Sequence, residues 1–207
     1  MSNREYFDEV APQWDKLRET FYSEALREKA ISAADVRFGR VAADIGAGTG
    51  FITEGLIKKG LKVIAVDHSE AMLKEMKKRF NSVRSIEYRV GESEKLPIED
   101  ESVDYVFTNM FLHHVENPLF AIKEMVRILR KSGGLIITDL DRHDFKFLKV
   151  EQHDRWMGFK REDIRQWFIE AGLKNVKVDC ASENCCAQSN GGREYAKISI
   201  FLALGKK

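Results

Sequence analysis

Four groups of residues in this chain carry side chains able to do chemistry. The first is DIGAGTG, residues 44–50, where Asp44 ends an apolar run and Gly46, Ala47, Gly48 and Gly50 follow. The second is the pair His113 and His114 in NMFLHHVENP, residues 109–118. The third, DLDRHDFKFLKVEQHDRWMGF at 139–159, holds His143, Asp144, His153 and Trp156. The fourth is DCASENCC at 179–186, which contains all of the chain's cysteines: Cys180, Cys185 and Cys186.

The glycine group reads as a ligand turn, with a tight strand–helix turn holding packing glycines as the alternative. Without a Cβ, glycine lets a ligand approach the backbone. A helix beginning near Gly50 would present free N–H groups to it. A dinucleotide fingerprint would need a glycine where Phe51 stands. The acid ahead of the turn would also repel a pyrophosphate. A cation suits Asp44 better, and an amino acid bearing a sulfonium and an ammonium is such a ligand. A second acid, Asp67 in VIAVDHS, closes the next apolar run at a distance suited to holding both hydroxyls of a ribose. These residues point to S-adenosylmethionine.

The other groups speak to the second reactant. A neutral imidazole at His113 or His114 can take a proton near pH 7. It can equally order the turn it sits in. His143 and His153 are too far apart in sequence to imply a shared metal. Thiolates at Cys180, Cys185 and Cys186 would bind soft ions, including a trivalent metalloid such as arsenic(III). The bland alternatives are small loop residues or an adjacent pair prone to oxidation.

Such residues need elements to place them. Strand candidates are Val41–Ile45, Lys62–Val66, Ser85–Val90, Val103–Thr108 and Leu135–Asp139, with helix candidates at 50–59, 69–80 and 117–130 between them. This alternation predicts an α/β fold, a doubly wound sheet with helices on both faces. An amphipathic helix is expected at 21–36 and another at 161–171. Two late strand candidates, 173–180 and 196–204, flank a polar loop that would hold Cys185 and Cys186. The 207 residues suit one domain with a small terminal extension. The expected division is a helical lid segment at 1–37 and a main domain at 38–207.

With 34 basic and 33 acidic residues, the chain has no electrostatic grip on nucleic acid or an anionic membrane. No apolar run approaches the length of a membrane span, and the charged N-terminus is unlike a secretory signal. A cytoplasmic location is expected, and monomer and homodimer both stay open.

The motifs together resemble the class I S-adenosylmethionine-dependent methyltransferases, in their small-molecule branch. DIGAGTG, VDHSEAML, GESEKLPIEDESVDYVF, NMFLHHVENP and RILRKSGGLIITD follow that family's order. The resemblance implies a Rossmann-like seven-stranded sheet of order 3-2-1-4-5-7-6 with strand 7 antiparallel. It implies S-adenosylmethionine as cofactor, with Asp44, Gly46, Ala47, Gly48 and Gly50 around its methionine end. Asp67 would hold the ribose, with His68 beside it. Met72 and Glu92 would flank the adenine, and Asn109 would contribute its backbone. His114, with His113, becomes the candidate base. YFDEVAPQWD, residues 6–15, resembles a segment that lies over the cofactor, so Tyr6, Phe7 and Trp14 become lid and substrate residues. His143 and Trp156 fall where acceptor-side residues of the ubiquinone/menaquinone and arsenite branches lie. The acceptor expected is a small molecule. Arsenite or a thiol held by the cysteines is the alternative, although arsenite relatives carry earlier cysteines that this chain lacks. A non-catalytic cofactor-binding module is the third reading. The Asp/Asn-Pro-Pro-aromatic motif of nucleic-acid amine methylation is absent, NMFL standing in its place.

Overall fold

A computed structural model describes residues 2–207. The chain opens with α1 (Asn3–Val10), a 3-10 turn, α2 (Trp14–Arg18) and α3 (Glu24–Ala33). Ser2 and Glu5 close a capping box at the start of α1. Strands and helices then alternate: β1 (Val41–Ile45), α4 (Phe51–Lys58), β2 (Lys62–Asp67), α5 (Glu70–Arg79) and β3 (Ile86–Val90). The second half runs β4 (Val103–Asn109), α6 (Pro118–Ile128), β5 (Leu129–Leu140), α7 (Lys146–Glu151), α8 (Arg161–Glu170), β6 (Lys174–Gln188) and β7 (Tyr195–Lys206).

The strands form one sheet of order β3-β2-β1-β4-β5-β7-β6. Pairing is parallel from β3 to β5, and β7 is antiparallel to both neighbours. The expected topology is therefore present. Successive strand residues are buried on opposite faces, as a two-residue period requires. Ala42, Phe107 and Ile136 pack with Leu26, Ile31 and Leu56 of α3 and α4. Ala43, Val106 and Ile137 pack with Ile122 and Met125 of α6 and Ile164 and Phe168 of α8. Because β1, β2, β4 and β5 are parallel, their carboxyl ends emerge on one edge. Asp44, Asp67, Asn109 and Asp139 all lie at those ends.

Two strands differ from expectation. β5 begins at Leu129, immediately after α6, and so takes in the last two residues of the helix expected over 117–130 and the Lys131–Gly134 stretch ahead of the expected strand. β6 runs to Gln188, so Cys185 and Cys186 lie in a strand, not a loop. They pair with Ile198 and Lys197 of β7. The pairing register breaks between Cys180 and Asn184, where Ser182 has a positive φ of 57°. That bulge lets a polar stretch stay in the sheet. Only 189–194 connect β6 to β7. The N-terminal helix expected over 21–36 is the shorter α3, and α1 and α2 precede it.

Candidate active site

The turn after β1 builds the floor of a cleft lined by Asp44, Gly46, Ala47, Gly48, Asp67, Met72 and Asn109, among others. Gly46 and Gly50 have φ of 68° and 97°, a region that side chains resist. A Cβ on Gly46 would enter the Phe111 ring, and one on Gly50 would lie 2.6 Å from Phe80. Asp67 ties the turn to β2. Its Oδ2 accepts from the Gly48 N–H at 2.8 Å and its Oδ1 from the Ser69 N–H at 2.9 Å. Each carboxylate oxygen keeps a free lone pair for a ligand hydroxyl. Burial raises the Asp67 carboxyl above the usual range, against these backbone bonds.

Asp44 is buried. Its Oδ2 accepts from the Thr53 N–H at 2.9 Å and the Thr53 Oγ1 at 2.6 Å. Among the described residues no donor reaches Oδ1. Burial pushes the carboxyl up to about 7, against the two Thr53 bonds, and the charge of Asp67 adds to the rise. A cation in the cleft would find there an acid ready to ionise. That is the environment a sulfonium amino acid with a free ammonium needs.

The residues expected near the adenine lie along two openings. Met72 is buried on the cleft wall beneath Val10 and Ala11. His68 and Glu92 line an adjoining opening, with Nδ1 and Oε2 3.7 Å apart. Asn109 lies on the cleft wall, and its Oδ1 accepts from the Thr138 hydroxyl at 2.7 Å.

A second cleft abuts the first. Tyr6, Phe7, Trp14, Phe21, Tyr22, Met110, Leu140 and Leu148 give it an apolar, largely aromatic wall, and His113, His114, Gln152 and Asp154 give it one polar end. Phe7, Trp14, Tyr22, Met110 and His114 border both clefts. The polar end is organised by Asp139, a residue that sequence reasoning passed over. This fully buried carboxylate closes β5. Its Oδ2 accepts from the N–H groups of Phe111, Leu112 and His113, and its Oδ1 from the Leu140 N–H. Nδ1 of His113 lies 2.6 Å from Oδ1. An acid at the end of a parallel strand was the available signal, the same one that marked Asp44 and Asp67.

The two histidines differ. Burial disfavours charge on His113, yet Asp139 and Asp154 outweigh it and push the imidazole up to about 9. Burial and the neighbouring His113 hold His114 well below the ordinary range, so it is neutral at pH 7. Asn3 of α1 brings its amide nitrogen to 3.3 Å from His114 Nδ1 and donates to the His153 carbonyl at 3.2 Å.

Of the remaining candidates, Tyr6 and Trp14 line the second cleft. The Tyr6 hydroxyl donates to Gln152 at 2.9 Å, and its ring lies against His153. Trp156 and His143 are corrected. The Trp156 indole N–H donates to the Val115 carbonyl at 2.8 Å and its ring lies against Phe159, so it fastens a strap and stands on neither cleft wall. His143 is buried, with Nδ1 accepting from the Phe145 N–H at 3.2 Å, and it also lies off both walls. The cysteines are not gathered. Cys180 is exposed, Cys185 is buried on the second cleft's wall, and Cys186 is half-buried. Neighbours on a strand point to opposite faces, which separates Cys185 from Cys186. Burial pushes the Cys185 thiol up to about 12, so it is no thiolate at neutral pH.

A Rossmann-like sheet of this order, with an acid-flanked glycine turn and a second acid at the next strand end, defines an S-adenosylmethionine-binding fold. Comparison with known proteins agrees. A family profile described as a methyltransferase domain matches residues 43–137. A demethylmenaquinone methyltransferase of Paenarthrobacter aurescens is 32% identical over 136 residues, 64% of this chain and 53% of that protein. The chain thus aligns with about half the length of that relative. Demethylmenaquinone methyltransferases of Staphylococcus aureus are 27% identical over 220 aligned positions, 91% of each chain. Among solved structures, a Haloferax volcanii methyltransferase in complex with the activator Trm112 superposes with a TM-score of 0.81 at 19% identity, over 99% of this chain and 97% of that one. A Haemonchus contortus phosphoethanolamine N-methyltransferase bound to S-adenosylmethionine gives a TM-score of 0.73 at 16% identity, over 87% and 52%. Residues 43–137 are thus similar in sequence to methyltransferase domains, and the chain shares the fold of solved S-adenosylmethionine-dependent methyltransferases. Among the described residues no helix is long and apolar enough to cross a membrane.

Proposed function

We propose that this protein transfers a methyl group from S-adenosylmethionine to a small, planar, largely apolar acceptor carrying an ionisable hydroxyl. The observation that carries this reading is the position of His114, on the wall shared by the cofactor cleft and the aromatic cleft. S-adenosylmethionine supplies an electrophilic methyl on a sulfonium. The chain's residues do the rest. Asp44 takes the ammonium end and Asp67 the ribose. Tyr6, Phe7, Trp14 and Tyr22 clamp a flat acceptor and exclude water, leaving alignment as the main catalytic contribution. At the polar end, neutral His114 accepts the proton that an acceptor hydroxyl loses. The segment 1–37 acts as the lid. It is latched by Ser69 Oγ donating to Asp8 at 2.6 Å and Thr49 Oγ1 donating to Asp15 at 2.6 Å.

A reduced quinone of the kind named in the demethylmenaquinone methyltransferases fits this chemistry. An arsenite acceptor would need thiolates that this fold keeps apart. A cytoplasmic setting suits a small acceptor and a chain with balanced charge. The test is release of S-adenosylhomocysteine by reduced protein offered demethylmenaquinol, a catechol, a small amine, or arsenite with a thiol. Turnover on a hydroxylated ring, lowered at least tenfold by His114→Gln, is the expected result. Turnover on arsenite alone would overturn the reading. So would cofactor binding without turnover on any acceptor, which would favour a non-catalytic binding module.

A further inference from the structure

The polar end of the acceptor cleft contains more than a base. Among the described residues, His113, His114 and Asp154 form the one trio of potential metal-ligating side chains whose donor atoms all lie within 4.8 Å of one another. His113 Nε2 is 3.7 Å from Asp154 Oδ1, and His114 Nδ1 is 4.0 Å from the same oxygen. We propose that these three side chains bind a divalent first-row transition-metal ion, with its remaining coordination positions facing the acceptor cleft.

Three features carry the assignment. The first is the donor set. Two imidazoles and one carboxylate suit zinc, iron, cobalt or nickel in their divalent states. Donors about 2.0–2.2 Å from a tetrahedral ion stand about 3.3–3.6 Å apart. The 3.7 Å and 4.0 Å pairs lie close to that spacing, and the trio, within 4.8 Å throughout, must draw in for all three to share one ion. The second feature is Asp154. Its carboxylate is 5% exposed, lies on the cleft wall, and receives no hydrogen bond from any described residue. An anionic group so buried requires a partner. His113 Nε2 faces it across 3.7 Å, too long for a hydrogen bond, and an ion bound between them would displace the Nε2 proton. The third feature is the support behind the ligands. Asp139 engages His113 Nδ1 and so turns Nε2 towards Asp154, the carboxylate–histidine arrangement that fixes a metal-binding imidazole. Asp154 is fixed by its flanking chain. The N–H groups of Arg155 and Trp156 both donate to the His113 carbonyl at 3.0 Å, and Asn3 donates to the His153 carbonyl. The Asn3 amide, 3.3 Å from His114 Nδ1, is the group an incoming ion would displace.

A cation here would bind an acceptor oxygen directly and favour its ionised form, with His114 as a ligand in place of a free base. That consequence rests on the proposed acceptor chemistry. The site itself does not, because it can be titrated without turnover.

The experiment uses the full-length chain stripped with a chelator, with the three cysteines changed to serine so that thiols cannot contribute. Zinc is titrated against a chromophoric chelator, and cobalt by its visible spectrum. One ion per chain is expected, with cobalt bands characteristic of nitrogen and oxygen ligands. D154N and H114Q should each weaken binding at least tenfold, and D139N, acting through His113, by about 10–100-fold. S-adenosylhomocysteine binding, measured on every variant, reports that the fold is intact. Three results would overturn the site: no zinc or cobalt bound by protein that binds S-adenosylhomocysteine normally, equal binding by D154N, or binding confined to the cysteine-containing chain. Turnover on a hydroxylated acceptor that a chelator leaves unchanged would also overturn it, while leaving the proposed methyl transfer standing.

Discussion

The two clefts share a wall but are assembled by different means. The cofactor cleft is local. Its floor is one turn between β1 and α4, and the polar bonds across it run mainly between a backbone N–H and the acid at a neighbouring strand end. The acceptor cleft is assembled from afar: α1, the turn after β4, the 145–154 stretch and β6 each supply a wall. Its polar end depends on one buried carboxylate, Asp139, which binds a whole turn to β5. A cleft held by backbone and glycine can stay constant while one built from distant side chains changes with the acceptor. That is how one fold serves many acceptors.

If the contrast is right, damage to Asp139 should fall on the fold and the acceptor end together. Asp139→Ala removes a buried ion-pair partner and leaves several N–H groups without an acceptor. We expect a loss of about 3–5 kcal/mol in denaturant unfolding, the cost of breaking such a pair. Unchanged stability would mean that the turn after β4 is held by something else.

Asp67→Ala should do the opposite. It should weaken S-adenosylhomocysteine binding by about 1–3 kcal/mol, through lost charged hydrogen bonds, while the KM for acceptor stays put. Isothermal titration calorimetry reads the first quantity and steady-state kinetics the second.

Asp44 sharpens the contrast through pH. Its folded-state pKa of about 7 lies above the ordinary carboxyl value of 3.8. A raised folded pKa favours the fold while the group is protonated. That contribution is complete below about pH 3.8 and is lost as the pH climbs through about 7. Asp44→Asn should flatten the fall in stability across that window. Cofactor binding has the reverse sign, because an ammonium pairs with the ionised form. S-adenosylhomocysteine affinity should rise by up to about tenfold per pH unit towards pH 7 and then level off. The same titration on Asp44→Asn should lack that rise.

The smallest effect expected is at the shared wall. Trp14 borders both clefts and meets Phe7 edge to face at 5.5 Å between ring centres. Trp14→Ala should cost about 0.5–1.5 kcal/mol in the binding of each partner. A loss confined to one of them would show that the wall is not shared in solution.

The same contrast decides what could be read from the chain. The bounds of β1 and the glycine turn were legible, because each follows from contiguous residues and simple periods, while the strand order came from the resemblance of the motifs to a known family. β5 is longer than expected because its first residues follow a helix directly and carry no apolar pattern: pairing with β4 breaks after Leu129 and resumes at Gly134. β6 is longer than expected because a bulge carries ASENCC into the sheet, so the expected cysteine loop is strand. Asp139 carried a readable signal at the end of its strand. Asp154 carried none, since its meaning comes from His113 and His114, some forty residues earlier in sequence. Trp156 and His143 were drawn to the acceptor site by position alone, and the fold spends them on a strap and a buried turn.

The most direct test of the central claim is a crystal structure of the protein with S-adenosylhomocysteine. The account predicts the ammonium at Asp44, the ribose hydroxyls at Asp67, and the sulfur beside His114, directed into the aromatic cleft. A sulfur directed away from that cleft, or a ligand bound without contact to Asp44 and Asp67, would contradict it.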